Sequence, residues 1–343
     1  MEVEAMAGAQ GTNIHVDHED LRRILKEITT YVVDSQDIDT GGWSADPDAR
    51  GSRSVDVWTT SQVVLWMAQV NFELYREQIE NAVMFLLQEQ EHGSQDDDED
   101  EDPVNVDGGR GWGWQRNRPR DTTATSLAVR ALLRYHSHIA VPDPRINESI
   151  IAGRDWLINN RHHEGGFALF QTDPHPLSFN TCWCSIALQE CANTPGFQWP
   201  AIAGAVDSAV ELVLRARRMR GWGREVTSRA NPLGVAYCTY LLLRRGYTNQ
   251  AALGIDWLRT HQNDDGYWLA GVDNILEPTA WALITLLTNK ERPDGFRIQS
   301  AVTYLQQLYV QGRGWPRKPN DSPTVWTSYY AFLALTAYLD AAR

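Results

Sequence analysis

The stretch that decides the fold is Ala252-Leu-Gly-Ile-Asp-Trp-Leu-Arg-Thr-His-Gln-Asn-Asp-Asp-Gly-Tyr-Trp268. Its apolar residues Leu253, Ile255, Trp257 and Leu258 are predicted to share one face of an amphipathic helix. A polar turn of Gln, Asn, Asp and Gly ends this helix, and an aromatic pair follows the turn. A second, more apolar helix begins shortly afterwards, so the segment predicts a helical hairpin.

The same order of a polar-faced helix, a Gly-aromatic corner, a loop and a more apolar helix occurs six times along the chain. The corners lie at 41–43, 111–114, 165–167, 221–223, 266–268 and 312–315. The apolar helices are predicted to begin near Val55, Asp121, Asn180, Asn231, Pro278 and Pro323. Helical hairpins repeated at such a period stack and bury each other's apolar faces. Six copies without a polar capping helix predict closure into a ring, so the expected fold is all-α, an (α/α)6 toroid (barrel) with the apolar helices inside.

The toroid is predicted to occupy residues 17–343 as a single domain. Residues 1–16 lack helical periodicity and are expected to form a flexible leader. An acidic insertion at about 89–107 is predicted to be a solvated loop, because like charges at this density repel each other. Docking of a basic partner protein on this loop is the less favoured alternative.

Charge, cysteine content and hydropathy limit the class of protein. The formal net charge is −13, and seven acids lie in the single run from Asp96 to Asp102. Nucleic-acid binding is not expected, because there is no basic excess to contact phosphates. The cysteines form neither a CxxC pair nor a regular framework and are predicted to be buried free thiols. No apolar run approaches the roughly 20 residues that cross a bilayer, so a cytoplasmic protein without a transmembrane segment is predicted.

The corner motifs and helix order resemble the prenyltransferase and squalene-oxidase repeat. This repeat forms the α/α toroid of squalene–hopene cyclase, of class II diterpene cyclases and of the β subunits of protein prenyltransferases. The segment from Trp257 to Trp268 looks like the Gln-Trp repeat of the cyclases, and 312–315 and 165–167 look like degenerate copies. The resemblance covers about residues 17–340 and implies the toroid fold, whereas the chemistry depends on individual site residues.

The zinc site of the protein prenyltransferases has no full counterpart in this chain. That family holds its metal with an Asp-x-Cys pair on one inner helix and a His on another. The corresponding segments look like Asn180-Thr-Cys182 and Trp326-Thr-Ser-Tyr329. Because an amide replaces the carboxylate and a hydroxyl replaces the imidazole, three zinc ligands cannot be assembled, and zinc prenyltransferase activity is rejected. No metal site is predicted.

A candidate acid lies at the start of the second apolar helix. The segment Asp121-Thr-Thr resembles part of the Asp-x-Asp-Asp motif with which class II terpene cyclases protonate their substrates, although Pro119 stands where the first Asp would be. Asp121 is therefore the candidate proton donor, and an N-cap role is its alternative. A helix N-terminus and Arg120 are both expected to favour its ionised form. Asp56 and Asp321, at the starts of other inner helices, are further candidate acids.

The starts of the six inner helices are predicted to lie on one rim of the ring, where free N–H groups and helix dipoles attract anions. Arginines in the rim loops suit a diphosphate, and aromatic residues below them suit an isoprenoid tail and its carbocations. Solvated arginines and ring-filling aromatics are the alternatives. The predicted cations are Arg53, Arg116, Arg118, Arg120, Arg224, Arg317 and Lys318. The predicted aromatic residues are Trp58, Trp183, Tyr237, Tyr240, Trp281, Trp326 and Tyr329.

Two functions follow from these patterns. The leading hypothesis is an enzyme of the terpene-cyclase type that binds an isoprenoid, prenyl diphosphate in particular, and cyclises it by protonation. The rival is a non-catalytic toroid that binds another protein through its rim or its acidic loop. No cofactor is predicted apart from the Mg²⁺ that a diphosphate ligand can bring.

Overall fold

The computed structural model describes residues 16–46, 48, 55–92, 110–115, 118–218, 222–271 and 273–343. Within these ranges the chain forms twelve α-helices joined by turns and isolated β-bridges. The helices are α1 His18–Asp34, α2 Val57–Asn71, α3 Arg76–His92, α4 Thr122–His136, α5 Pro144–Asn159, α6 Ser178–Asn193, α7 Pro200–Arg218, α8 Pro232–Arg244, α9 Thr248–Thr260, α10 Leu276–Thr288, α11 Phe296–Leu308 and α12 Val325–Ala341. None of them is long and apolar enough to cross a membrane.

The odd-numbered and even-numbered helices differ in how apolar residues are distributed around them. In α1 the buried residues include Leu21, Ile24, Ile28 and Val32, which lie along one stripe. In α10 the first twelve residues are buried apart from Glu277. A helix with a single apolar stripe covers a core, whereas a helix that is apolar all round is enclosed by other helices. The odd-numbered helices are therefore outer and the even-numbered helices inner.

The inner helices form a closed ring. Contacts link α2 to α4, α4 to α6, α6 to α8, α8 to α10 and α10 to α12, and α12 returns to α2. Each outer helix packs against the inner helices of its own and adjacent hairpins, as α3 does against α2 and α4. The predicted all-α ring of six helical hairpins is confirmed. The four cysteines are buried and free, as the sequence predicted.

Each corner is fixed by a buried aromatic residue that contacts both helices of its hairpin. In the fifth hairpin, the backbone N–H of Trp268 donates to Oγ1 of Thr279 at 3.0 Å, and its indole N–H donates to the carbonyl oxygen of Leu258 at 2.9 Å. Equivalent pairs of bonds are made by Trp43, Trp112 and Trp315. Phe167 makes only the backbone bond and Trp222 only the indole bond. The aromatic residue of the sequence motif therefore sets the angle between the two helices.

A second recurring bond joins each hairpin to the next one. The first N–H of an inner helix donates to the carbonyl oxygen two residues after the corner aromatic of the following hairpin. These bonds run from Val57 to Trp114 at 2.9 Å, from Thr122 to Leu169 at 3.1 Å, from Ser178 to Arg224 at 2.9 Å, from Leu276 to Arg317 at 3.1 Å and from Val325 to Ala45 at 2.9 Å. The last of them joins the sixth hairpin to the first and closes the ring. In α8 the first residue is Pro232, which has no N–H to donate.

Because of these bonds, the inner-helix starts are not the free anion sites that the sequence predicted. Their first N–H groups are occupied by carbonyl oxygens, and in four helices a side chain accepts a further backbone N–H. The capping residues are Asp56, Asp121, Asn231 and Thr324. The six starts nevertheless lie on one rim, as the ring topology requires.

Two predicted segments lie largely outside the described residues. Of the predicted leader, only Val16 is described; it is buried, and its N–H donates to Oε1 of Gln299 at 3.2 Å. Of the predicted acidic loop at 89–107, the first four residues belong to α3, which ends at His92, and Glu89 is buried. The first residues of the predicted insertion are therefore helical, and its remainder at 93–107 lies outside the described residues.

The corner bonds predict a specific loss of stability. Replacing Thr279→Val keeps the shape of the side chain but removes the acceptor for the buried N–H of Trp268. We expect the free energy of unfolding to fall by about 1–3 kcal/mol, the usual cost of an unsatisfied buried donor. Urea denaturation checks this value, with Thr260→Val on the exposed surface of α9 as the matched control. Equal stability of the two variants would contradict the assigned role of the corner bond.

Candidate functional site

The ring encloses a cavity of about 560 Å³ at the rim where the inner helices begin. All six inner helices contribute to its wall near their first turns. Representative lining residues, one from each inner helix, are Trp58, Thr123, Asn180, Tyr237, Glu277 and Trp326. We call this space the rim cavity. It has the volume of an ordinary small-molecule site and lies where the sequence predicted one.

Aromatic side chains make up much of the wall of the rim cavity. The ring of Phe179 lies 5.8 Å from that of Trp58 and 5.2 Å from that of Tyr237, measured between centroids. On the other side, Trp326 and Tyr330 are 6.0 Å apart in an edge-to-face arrangement. All five residues line the cavity. Such a wall favours a ligand with an extended apolar body and can stabilise positive charge on it.

An aromatic layer forms the floor of the rim cavity. The ring of Trp281 lies 4.5 Å from Tyr237 and 6.5 Å from Tyr330, and Trp183 contacts Trp281 edge to face at 5.4 Å. Below this layer, at the other end of the inner helices, is a second cavity of about 360 Å³, which we call the base cavity. The two cavities share no described lining residue. The centre of the ring is therefore two chambers and not one tunnel.

Glu277 is the only carboxyl group among the described residues that line the rim cavity. Its Oε1 accepts a hydrogen bond from the hydroxyl of Tyr237 at 2.8 Å, and its Oε2 accepts one from Nδ2 of Asn274 at 2.9 Å. Burial raises the pKa of Glu277, and this effect outweighs the two hydrogen bonds, which lower it. Burial likewise holds the pKa of the Tyr237 hydroxyl well above its usual range. A carboxyl group of this kind, oriented by two donors inside an apolar cavity, can hold and transfer a proton.

Glu277 is not among the site residues that the sequence predicted. The available signal was an acidic residue in the first turn of the apolar inner helix α10, followed directly by Pro278. Charged residues are rare among buried neighbours unless a specific partner pairs with them, so this position could have been singled out.

Asp121 and Asp56 are buried N-caps and are not among the described residues that line the rim cavity. Oδ1 of Asp121 accepts the N–H of Ala124 at 2.7 Å, and Oδ1 of Asp56 accepts the N–H of Thr59 at 2.6 Å. Burial raises the pKa of Asp121 to about 7 and that of Asp56 to about 6. The backbone N–H groups of the helix start lower the pKa of Asp121, as expected, but burial raises it by more.

The predicted rim cations are spread over different environments. Arg224 is exposed and lines the rim cavity. Lys318 pairs with Asp273, and Nε of Arg317 lies 3.9 Å from Oδ2 of Asp321, the third candidate acid. Arg118 is exposed and Arg120 is buried, and neither is among the described lining residues, while Arg53 and Arg116 lie outside the described residues. The described rim therefore offers the cavity one cation, Arg224.

The predicted aromatic residues divide between the two cavities. Trp58, Tyr237 and Trp326 line the rim cavity. Trp183, Tyr240, Trp281 and Tyr329 line the base cavity. Phe179 and Tyr330, which the sequence analysis missed, also line the rim cavity. Both chambers lie within the ring at opposite ends, so the depth of a residue along its helix and the direction of its side chain decide which chamber it lines.

Solved structures with the same fold include enzymes of different chemistry. The type II terpene cyclase MstE from Scytonema is 14% identical, with a TM-score of 0.61 over 95% of this chain and 99% of that chain. A variant of that cyclase in complex with geranylgeranyl dihydroxybenzoate is 12% identical, with a TM-score of 0.63 over 94% and 97% of the two chains. A D-mannose isomerase is 11% identical, with a TM-score of 0.67 over 94% and 98%.

Neither a protein-family model nor a curated protein matches the sequence. At these identities the structural likeness shows the fold alone. The predicted terpenoid-cyclase-like toroid is confirmed at the level of fold, and membership of the prenyltransferase and squalene-oxidase repeat family stays a prediction.

The raised pKa of Asp121 predicts an unusual dependence of stability on pH. The folded chain binds the Asp121 proton up to about pH 7, whereas an ordinary aspartate loses it near 3.8. Within this window the folded state holds more protons than the unfolded state, so the contribution of Asp121 to stability falls as pH rises. Asp121→Asn keeps the cap but does not ionise.

The stability of Asp121→Asn relative to the natural chain should therefore increase between pH 4 and pH 7, the window set by this pKa, with a limiting slope of about 1.4 kcal/mol per pH unit. Urea denaturation at a series of pH values measures the difference in the free energy of unfolding between the two chains. The contributions of titratable groups that both chains contain cancel in this difference. A difference that does not change with pH would contradict the assigned proton.

Proposed function

We propose that this protein is an enzyme that binds a prenylated small molecule in the rim cavity and cyclises it by proton transfer from Glu277. The observation that carries the proposal is Glu277, the one carboxyl group among the described residues that line an aromatic cavity of about 560 Å³, and it is partly buried there. Apolar walls bind the prenyl chain, and aromatic faces stabilise the cations that form along it. The fold shared with the cyclase MstE supports the proposal without deciding it.

The charge at the mouth favours a substrate head with few negative charges. Arg224 is the one described cation that lines the rim cavity, and the first N–H groups of the inner helices are already bonded. A diphosphate is usually held by several cations or by a divalent ion. The substrate named for the MstE variant, geranylgeranyl dihydroxybenzoate, carries a prenyl chain on a single aromatic acid. We propose a head of this lower charge, with prenyl diphosphate as the alternative.

The proposed reaction rearranges bonds within the substrate. The O–H bond of protonated Glu277 breaks while a C–H bond forms at a terminal alkene carbon, and the π electron pair is used in that bond. The resulting tertiary carbocation is attacked by the π electrons of the next alkene, which closes a carbon–carbon bond. The final cation loses a proton to water, so the product is an isomer of the substrate. Glu277 then regains a proton from solvent.

Glu277 is preferred to Asp121 as the acid because of position. Both carboxyl groups have a raised pKa, but Oδ1 of Asp121 is engaged with the N–H of Ala124 and the residue does not line the cavity. A catalytic acid has to reach the reacting atom at hydrogen-bond distance. Glu277 satisfies this requirement for a ligand that fills the rim cavity.

Glu277→Gln tests the proton donor. The amide oxygen can still accept the hydrogen bond from Tyr237, but the side chain has no acidic proton. We expect product formation from geranylgeranyl dihydroxybenzoate to fall by at least about a hundredfold, as for loss of a general acid, with little change in binding. Product is measured by mass-resolved chromatography, and Glu211→Gln on the exposed face of α7 is the matched control.

The outcomes of this experiment separate the candidate functions. Product that persists in Glu277→Gln and disappears in Asp121→Asn would assign the acid to Asp121. Turnover of D-mannose but of neither geranylgeranyl dihydroxybenzoate nor geranylgeranyl diphosphate would overturn the substrate class. If no small molecule binds, and deletion of residues 96–102 abolishes capture of a protein, the non-catalytic toroid is the correct function.

Trp326→Ala tests the binding wall independently of the chemistry. Trp326 lines the mouth side of the rim cavity and is only partly buried, so its removal should leave the fold intact. We expect the Kd for a prenylated ligand to rise by about tenfold, which corresponds to about 1.4 kcal/mol of lost apolar contact. Titration calorimetry measures the Kd. Trp199→Ala, at an outer position beside Arg154, is the control, and an equal effect of both changes would contradict the assigned wall.

A further inference from the structure

The base cavity lies at the end of the ring opposite the proposed active site. All six inner helices contribute to it through residues between their second and their last turns, and its volume is about 360 Å³. Three arginines, Arg130, Arg134 and Arg244, line it together with a single acid, Asp340. Its wall is therefore much richer in charge than that of the rim cavity, and the charge is mostly positive.

Several buried donors in this wall have no acceptor among the described residues. They are Nη1 of Arg130 and the indole N–H groups of Trp183 and Trp281. The two tryptophans are 1% and 2% exposed, so solvent does not supply the missing acceptor. A buried donor without an acceptor costs about 1–3 kcal/mol, and these three lie next to a cavity that three arginines line.

Arg130 is held in place by partners that leave its third nitrogen available. Its Nε and Nη2 donate to the two carboxylate oxygens of Glu190 at 3.0 and 3.1 Å, and its guanidinium lies 4.7 Å from the ring centroid of Trp183. This arrangement fixes the plane of the guanidinium group. A fixed guanidinium with one open donor edge is well suited to an oxyanion.

The other two arginines complete a positive surface around the same space. Arg134 and Arg244 lie in the last turns of α4 and α8, where cations complement the carbonyl ends of the helices. That effect accounts for their position along the helices, but it supplies no acceptor to Arg130, Trp183 or Trp281. The single lining acid, Asp340, is itself 3.3 Å from Arg343. The cavity thus keeps an excess of positive charge.

We propose that the base cavity is a second binding site, which takes a small organic anion: a carboxylate or phosphate group attached to a compact apolar body. The oxyanion lies among the three arginines, and the apolar body packs against Trp281 and Tyr240, whose rings are 5.4 Å apart. The site does not depend on the function of the rim cavity, because the two chambers share no described lining residue.

The proposal is tested by calorimetric titration of the full chain with phenyl phosphate, benzoate and the neutral probe benzyl alcohol. We expect one of the two anions to bind at millimolar concentration or better and the neutral probe to bind at least about tenfold more weakly. The preferred anion identifies phosphate or carboxylate as the head group. Arg134→Gln and Arg244→Gln, both at exposed positions, should each raise the Kd by about tenfold.

Two control variants and one conservative variant make the result decisive. Arg292→Gln on the outer surface and Arg224→Gln in the rim cavity remove the same charge elsewhere and should leave the Kd unchanged. Trp183→Phe places a smaller ring beneath the Arg130 guanidinium and loosens its support, so it should weaken binding severalfold with no change in the cooperativity of unfolding. Absence of anion binding, or an equal Kd for the base-cavity variants and the two controls, would overturn the proposal.

Discussion

The structure depends on the bond between the first N–H of an inner helix and the carbonyl oxygen that follows the corner of the next hairpin. Five inner helices make this bond, and the one from Val325 to Ala45 joins the last hairpin to the first. Because the acceptor lies in the neighbouring hairpin, none of these five hairpins supplies the acceptor for the first N–H of its own inner helix. The same bond points every inner-helix start to one rim and gathers the residues of the first turns around a common cavity.

This bond also determines the electrostatics of the two chambers. Helix starts are ordinarily good anion sites, but here the first amide of five inner helices is bonded to a carbonyl oxygen of the next hairpin, which weakens the rim as an anion site. The side chains that line the rim cavity are mainly aromatic, with one carboxyl group, Glu277, and one arginine, Arg224. At the other end the carbonyl termini attract Arg134 and Arg244, and the positive charge collects there instead. Opposite ends of one ring therefore suit opposite kinds of ligand.

Features of the fold that depend on local sequence patterns were predicted correctly. The helices, the glycine-aromatic corners and the closed ring follow from periodicity and repetition, and Asp121 was correctly anticipated as an N-cap alternative. The site was only partly predictable. Trp58 lies in the first turn of α2 and lines the rim cavity, whereas Trp183 lies in the second turn of α6 and lines the base cavity, and periodicity does not give the depth at which the aromatic layer divides the ring. Glu277 could not be singled out from spacing, because its importance comes from Tyr237 and Asn274, which meet it only in the folded ring.

Pro232 makes one of the six connections between neighbouring hairpins different from the other five. The carbonyl that would accept a bond from the start of α8 belongs to Ala270, two residues after Trp268, and Ala270 and Gly271 both line the rim cavity. Since proline has no amide hydrogen, displacement of this loop breaks no helix-start bond, whereas displacement of any of the other five equivalent loops does. The sixfold pattern of bonds is thus interrupted at one position, and this position borders the rim cavity.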